Sequence, residues 1–133
     1  MNTATLLLLF STMTQHFDLP KGLLSALCFV ESSHDIKAIH IDDGEHNSVG
    51  VCQVQLPTAK TMGFKGTEVQ LQNPKTNIFY AAKYLHMQLN RYDGDIVKAI
   101  SAYNSGTYRL TRNGKLINQH YVDKVFNAWE ERT

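Results

Sequence analysis

The chain has 133 residues and a mass of 15.1 kDa, so residues 1–133 are expected to form a single domain. Hydrophobic residues make up 43% and charged residues 19%, which excludes a disordered chain and favours a packed core. Thirteen basic against twelve acidic side chains leave a net charge of +1. Because that balance gives no long-range attraction to nucleic acid or anionic membrane, we expect neither as a partner.

The first element is a helix, because apolar residues recur at the spacing of one helix face over residues 3–17. Its apolar run Leu6–Phe10 is far shorter than the roughly twenty residues that span a bilayer. No basic residue precedes the run and no small-x-small site follows it closely. The sequence therefore predicts no signal peptide and no stable membrane insertion.

The next elements follow from helix-start and strand signals. Pro20 suits a first helical turn, and the second helix is predicted to run from there to Glu31. Residues 33–47 form a polar connection dense in His, Asp and Gly, which is typical of a functional or mobile loop. Residues 49–54 are β-rich and indicate a strand or hairpin arm.

The second half of the chain is predicted to be helical. Pro57 opens a brief helix that Gly63 ends. Asn73 is a predicted N-cap and begins a long helix that the Asp-Gly-Asp sequence at 93–95 breaks. Further amphipathic helices are predicted over 96–103 and 121–129, with a polar, Gly-containing stretch at 105–116 between them. The pattern indicates a mainly α fold with a small β element after the second helix.

Glu31 is unusual because it closes the apolar stripe of the second helix, four residues after Leu27. A carboxylate is rarely buried without purpose, and burial would raise its pKa above the reference of about 4.3. A carboxyl group that stays protonated near neutral pH can donate a proton to a leaving oxygen. Alternatively, Glu31 turns outward into water, since periodicity does not fix the last turn of a helix.

Other segments resemble a known family. In order, the sequence contains Glu31-Ser32-Ser33, Ser48-Val49-Gly50-Val51-Cys52-Gln53, Asn73-Pro74-Lys75-Thr76-Asn77-Ile78, Tyr84-Leu85, Ala102-Tyr103-Asn104-Ser105-Gly106 and Tyr121-Val122. Over roughly residues 20–125 this combination resembles the soluble lytic transglycosylase domain of the lysozyme superfamily, which includes the goose-type lysozymes. The resemblance implies an α+β lysozyme-like fold, a helical bundle with a small β-hairpin beside the catalytic cleft.

The resemblance also implies an activity. Such domains cleave the bond between N-acetylmuramic acid and N-acetylglucosamine in the glycan strands of peptidoglycan, in the periplasm or cell wall. One Glu protonates the leaving oxygen and then accepts the proton of the sugar's 6-hydroxyl, which closes a 1,6-anhydro ring without water. Glu31 matches that residue. The chain is similar to versions carried by bacteriophages and secretion systems, which makes a virion or secretion apparatus a candidate partner, and we expect a monomer.

The resemblance assigns further residues to the substrate cleft. They are Ser48, Gln53, Gln55, Tyr103, Asn104, Tyr121 and His40. Gln53 both donates and accepts, which suits an N-acetyl group, and a Tyr103 hydroxyl near the Glu would stabilise its anionic form. Asn104 is better suited to holding local backbone. Packing is the better interpretation of Tyr84, and the role of Tyr121 is open.

The chain departs from the family pattern at several positions. The family often has a Ser about nine residues after the Glu, where this chain has His40. Cys52 and Gln55 stand near the Gln, where Met residues are common. A further acidic residue often found shortly before the final Tyr-Val is absent. These differences bear on the details of the subsites.

No metal or other cofactor is expected. The loop histidines and carboxylates match neither a zinc motif nor a calcium loop, so a solvated loop is the better interpretation. Those residues are His34, His40, Asp42, Asp43, Glu45 and His46. Arg109, Arg112 and Lys115 form a basic cluster that either meets the acidic stem peptide of peptidoglycan or is a solvated surface.

Two other functions stay open. A muramidase of the same superfamily would hydrolyse the same bond with a water activated by Asp35, Asp42 or Asp43, about 6.5–9.5 Å from the acid. A non-enzymatic part of a virion or secretion apparatus would only bind peptidoglycan, although the set Glu31, Gln53 and Tyr103 argues against it.

Cys28 and Cys52 are too few for a disulfide scaffold. The family fold brings Glu31 and Gln53 to one cleft, so the resemblance places the two sulfur atoms close together beneath it. Strand alternation would direct Cys52 into the core. Proximity leaves both a disulfide and two buried thiols open, and free thiols are the commoner state in reducing compartments.

Overall fold

A computed structural model describes residues 1–41 and 46–132. Its helices are α1 (Thr3–His16), α2 (Leu23–Ser32), α3 (Leu56–Thr61), α4 (Glu68–Leu71), α5 (Pro74–Arg91), α6 (Ile96–Ser105) and α7 (Gln119–Arg132). Its strands are β1 (Ile39–His40), β2 (Ser48–Val49) and β3 (Val54–Gln55), which form an antiparallel sheet in the order β1-β2-β3. The predicted fold class is confirmed: the chain is mainly helical with a small sheet.

The helix starts follow local capping chemistry. The Asn73 side chain accepts hydrogen bonds from Lys75 N and Thr76 N, so α5 begins where the sequence predicts. The second helix begins at Leu23, three residues later than predicted from Pro20, because Gly22 adopts a left-handed conformation with φ 81°. A capping box between Thr67 and Gln70 begins the short helix α4, which was not predicted.

The segment predicted as a strand or hairpin arm is a hairpin. β2 and β3 are joined by a turn at residues 50–53, and Ser48 pairs with Gln55. Gly50 has φ 82°, and a Cβ there would collide with the side chain of Asn77 on α5. The strand β1, which pairs Ile39 with Val49, was not predicted.

The core lies where α2 packs on α7 and α5 packs on α6, with α1 against α5. Its largest fully buried side chains include Leu23, Leu24, Leu27, Ile78, Leu85, Ile100 and Val125. The apolar face of α1 joins this core through Leu6, Phe10 and Met13. Within the described ranges, no helix has both the length and the apolar character needed to cross a membrane.

A disulfide bond joins Cys28 on α2 to Cys52 in the 50–53 turn, with Cα atoms 4.4 Å apart. Both residues are fully buried. The sequence is compatible with either a disulfide bond or two buried thiols, and the structure contains the disulfide bond. Cys52 is buried in the core as expected, but it lies in a turn, so strand alternation is not the reason.

Candidate active site

Glu31 lies in the last turn of α2 and faces a cleft of about 270 Å³. The other residues that line this cleft are Ser48, Gln53, Val54, Gln55, Thr58, Tyr84, Tyr103, Asn104, Ser105 and Gly106. They come from the sheet, from α3 and α5, and from the end of α6. The cleft wall is therefore rich in hydroxyl and amide groups, and Glu31 is the one carboxylate among the described residues that line it.

The carboxyl group of Glu31 is bound by Tyr121. The Tyr121 hydroxyl on α7 donates a hydrogen bond to Oε2 of Glu31 at 2.6 Å. Burial raises the pKa of Glu31 from 4.5 to about 7, while the Tyr121 hydrogen bond and the charge of Lys124 act in the opposite direction. Desolvation is the largest effect, so this carboxyl group holds its proton far better than one in water.

The tyrosine bonded to Glu31 is not the one that the resemblance suggested. The Tyr103 hydroxyl is instead directed to the carbonyl oxygen of Cys52 at 3.3 Å, and its ring packs against Tyr84 with centroids 5.3 Å apart. Burial, with the nearby charge of Glu31, raises the pKa of Tyr103 and of Tyr121 well above the usual value. Both hydroxyls therefore stay protonated and are hydrogen-bond donors at physiological pH.

The 50–53 turn carries Gln53 into the cleft. Gln53 has φ 53°, and its Nε2 donates to the carbonyl oxygens of Ala38 at 3.1 Å and Gly50 at 3.0 Å. Because both partners are acceptors, the amide nitrogen must face them. Both N–H groups of the Gln53 amide therefore donate to backbone carbonyl oxygens. The amide oxygen remains free to accept a hydrogen bond from a ligand. The expected contact of Gln53 with an N-acetyl group stays a prediction, and its amide oxygen is the group available for that contact.

Two further side chains hold this turn. Buried Asn77 accepts from Cys52 N at 2.8 Å and donates to the carbonyl oxygens of Val49 at 2.8 Å and Leu71 at 2.9 Å. Ser32, next to Glu31, donates to Val51 O at 2.6 Å. The sequence contains the Asn-Pro-x-x-Asn motif, but it predicts no role for Asn77. The available signal was the position of this amide on α5, four residues before the buried Ala81.

The other predicted substrate residues divide into two groups. Ser48, Gln55 and Asn104 line the cleft, and the Asn104 side chain also accepts a hydrogen bond from the Asn118 side chain at 2.8 Å. His40 does not line the cleft: it is an exposed residue of β1 that pairs with Ser48. The wall on this side is formed by β2 and β3, and a contact of His40 with substrate stays a prediction.

Several wall residues were not predicted as substrate residues. They are Val54, Thr58, Ser105 and Gly106, together with Tyr84, for which packing was favoured. Tyr84 both packs against Tyr103 and lines the cleft. Proximity to Gln53 and to the Ala-Tyr-Asn-x-Gly motif was the signal that could have identified most of them.

The polar loop offers no metal site in its described part. Over 1–41 and 46–132, no three His, Cys, Asp or Glu side chains converge as metal ligands. His34 packs between Phe10 and Phe29, with Nε2 2.8 Å from the carbonyl oxygen of Ser25. The expectations for Asp42, Asp43 and Glu45 fall on positions outside the described residues.

The fold and the cleft define a lysozyme-like domain with one enclosed glutamate in a polar groove. The family model "Transglycosylase SLT domain" matches residues 9–125, so the chain belongs to this family. Membership makes it a peptidoglycan-acting domain of the lytic transglycosylase type. Its relatives include Protein IpgF of Shigella flexneri and of Shigella sonnei. Each is 27% identical over 118 residues, which covers 86% of this chain and 74% of the relative.

Proposed function

We propose that the chain cleaves the β-1,4 bond between N-acetylmuramic acid and N-acetylglucosamine without consuming water, with Glu31 as acid and then base. The observation that supports this most is the state of the Glu31 carboxyl group, whose pKa of about 7 leaves it largely protonated just below neutral pH. A group poised near the working pH can donate and then accept the same proton.

The first step is proton donation. Protonated Glu31 gives its proton to the glycosidic oxygen while the bond from that oxygen to C1 of the muramic acid breaks. The substrate's own 2-acetamido group supports the positive charge at C1, so no protein nucleophile is needed, unlike the usual two-carboxylate scheme. Glu31 is then a carboxylate, and the hydroxyl of Tyr121 at 2.6 Å stabilises that charge.

The second step returns the proton to the enzyme. The Glu31 carboxylate takes the proton of the sugar's 6-hydroxyl, and O6 forms a bond to C1 that closes the 1,6-anhydro ring. The products are a new N-acetylglucosamine end and an anhydro-muramic acid end. Glu31 is protonated again and ready for another cycle.

Substrate orientation is assigned to the polar wall. The amide oxygen of Gln53 suits the N–H of an acetamido group, because its own N–H groups are used by Ala38 and Gly50. Ser48, Gln55 and Asn104 offer hydroxyl and amide groups to the sugar hydroxyls. These assignments, like the role of Glu31, are part of the proposal.

Within residues 1–41 and 46–132, no second carboxylate lines the cleft beside Glu31. An inverting muramidase needs a second carboxylate about 6.5–9.5 Å from the acid to activate water. Asp35 is exposed, and its side chain accepts from Lys37 N at 2.9 Å; it does not line the cleft. Asp42 and Asp43, the other candidates, lie outside the described residues.

Mass spectrometry of muropeptides released from purified peptidoglycan tests the proposal. We expect products lighter by one water than those of a hydrolase. Glu31→Gln should lose at least about 10²–10⁴-fold in rate, because the amide keeps the shape but cannot transfer the proton. Glu130→Gln makes the same change at an exposed position of α7 and should leave the rate unchanged.

Three outcomes would contradict the proposal. Products that carry the added water would identify a muramidase, and Asp35→Asn would then show whether Asp35 activates it. More than a tenth of the wild-type rate in Glu31→Gln would show that another residue is the acid. Sedimentation with peptidoglycan without any release of muropeptides would identify a binding protein. Association with a virion or secretion apparatus, and a monomeric state, stay predictions.

A further inference from the structure

The segment 107–118, here called the connecting hairpin, joins the cleft wall at Gly106 to α7. It leaves the cleft at Gly106, which is part of the wall. It leads into α7, where Tyr121 bonds to Glu31. Both ends of the connecting hairpin are therefore fixed to the site that would bind the glycan.

Backbone hydrogen bonds give the connecting hairpin a defined shape. Leu110 and Leu116 form an antiparallel bridge. Thr111 N donates to Lys115 O at 2.7 Å, and Ile117 N donates to Arg109 O at 3.0 Å. The side chains at its tip are thus presented by a closed hairpin.

Side chains at both ends tie the connecting hairpin to the helices. The backbone N–H of Tyr108 donates to the hydroxyl of Tyr92, the residue that follows α5, at 2.8 Å. Asn118 donates to Ser101 O at 2.9 Å and to Asn104 Oδ1 at 2.8 Å, both on α6. Because Asn104 is itself a wall residue, the connecting hairpin has a fixed position relative to the cleft.

The charge of the connecting hairpin is one-sided. Its sequence contains Arg109, Arg112 and Lys115 and no Asp or Glu, although the whole chain is nearly neutral. All three side chains are exposed, and none of them forms an ion pair with a carboxylate of the described residues. A cluster of exposed cations on a fixed support attracts anions that arrive at the neighbouring cleft.

The cleft cannot supply this charge itself, because none of its described wall residues is a Lys or Arg. Arg109 follows the wall residue Gly106 by three positions, so their Cα atoms lie within about 11 Å of each other. An arginine side chain extends that reach, and its planar fork can bind a carboxylate with two hydrogen bonds.

We propose that the connecting hairpin binds carboxylates of the stem peptide that N-acetylmuramic acid carries, so that peptide-bearing glycan is the preferred substrate. This inference rests on the proposed function. The stem peptide is attached to a sugar of the cleaved bond and contains free carboxylates and alanine methyl groups. Leu110 and Ile117, which are 50% and 49% exposed, provide apolar surface for those methyl groups beside the cations.

The experiment compares one variant on two substrates. The variant is Arg109→Gln/Arg112→Gln/Lys115→Gln, and the substrates are peptidoglycan with its stem peptides and the same glycan stripped by an amidase. We expect kcat/KM on the peptide-bearing substrate to fall about fivefold to tenfold, because exposed ion pairs contribute modestly and three are lost. The rate on stripped glycan should stay within about twofold, and added salt should reduce the difference.

A matched control variant separates the effect of the hairpin from the effect of a lower net charge. Lys21→Gln/Lys65→Gln/Lys75→Gln removes the same charge from three exposed lysines that do not line the cleft. It should leave kcat/KM unchanged on both substrates. Thermal unfolding of both triple variants checks the fold, and exposed substitutions of this kind should shift the unfolding midpoint by no more than about 2 °C.

Binding of the Glu31→Gln protein separates the two proposals. If the wild-type protein releases no anhydro products, the proposed function fails. The hairpin proposal can still be tested by sedimentation, which compares the binding of Glu31→Gln to both substrates with and without the three hairpin substitutions. Equal losses on both substrates, or no loss on either, would overturn the hairpin proposal. Retention on anionic lipid vesicles that needs the three cations, with no substrate effect, would assign them to a membrane surface and overturn it as well.

Discussion

The hydroxyl of Tyr121 donates to Oε2 of Glu31 at 2.6 Å across 90 positions of sequence. This hydrogen bond joins α2 to α7 at the cleft, where the two helices pack. The hydrogen bond lowers the pKa of Glu31, whereas desolvation raises it. The Tyr121 hydroxyl is protonated because the pKa of Tyr121 lies well above 10. Tyr121 therefore sets how readily Glu31 gives up its proton and how stable the resulting anion is.

We predict that Tyr121→Phe lowers activity about 10- to 100-fold, the loss expected for one hydrogen bond to a charged group. Without the donor, the pKa of Glu31 rises further, and the carboxylate formed after proton transfer is less stable. The alkaline limb of the pH–rate profile should move to higher pH while the fold is kept. Tyr80→Phe, which removes a hydroxyl outside the cleft, is the control. An unchanged profile in Tyr121→Phe would contradict the role given to this hydrogen bond.

The wild-type protein should lose activity as pH rises through about 7, the pKa of Glu31. The first step needs the protonated carboxyl group, and its fraction falls tenfold for each further pH unit. Initial rates of muropeptide release over roughly pH 5 to 9 provide the measurement. A rate that still climbs at about pH 9 would show that Glu31 is not the acid.

Glu31→Gln should make the protein more stable at pH 8 and leave its stability nearly unchanged at pH 4. The folded-state pKa of about 7 lies above the usual glutamate pKa of 4.5, so the folded state retains a proton that the unfolded state releases between these values. Wild-type stability therefore falls as pH rises through that window, by about 3 kcal/mol. The amide removes this loss. Denaturant unfolding at both pH values measures it, with Glu130→Gln as control, and equal stabilities at pH 8 would be inconsistent with the raised pKa.

Asn77→Ala should lower the free energy of unfolding by about 3 kcal/mol, since it leaves buried hydrogen-bonding groups without partners. Those groups are Cys52 N, Val49 O and Leu71 O. Asn90→Ala on the same helix removes an exposed amide and should cost far less. Comparison of the two unfolding midpoints tests this. A similar small shift in both would mean that the turn does not depend on Asn77.

Local chemistry explains which parts of the fold could be predicted. The start of α5 follows from Asn73 and Pro74 alone, and the place of Glu31 at the end of an apolar stripe follows from its spacing to Leu27. The partner of Glu31 could not be predicted, because Tyr103 and Tyr121 both lie on amphipathic helices. Only the packing of α7 on α2 decides between them.

The site's β elements were predicted least well, for a similar reason. β1 has only two residues, and its pairing with β2 depends on contacts across a long loop. The 50–53 turn depends on Asn77 and on a left-handed Gln53, neither of which has a periodic signal. His40 is expected in the cleft because it stands at a family position that often holds a Ser, but the strand that carries it, β1, does not line the described cleft.

The disulfide bond leads to the last prediction. Cys28 lies one turn before Glu31, and Cys52 is next to Gln53, so the bond connects the helix of the proposed acid to the turn of the substrate residue. Thiol titration of the unfolded, unreduced protein should find no free thiols. Cys28→Ala/Cys52→Ala should lower the free energy of unfolding by about 3 kcal/mol, because the bond closes a loop of some two dozen residues in the unfolded chain. Two free thiols per chain would rule out the bond and leave the cysteines as core packing.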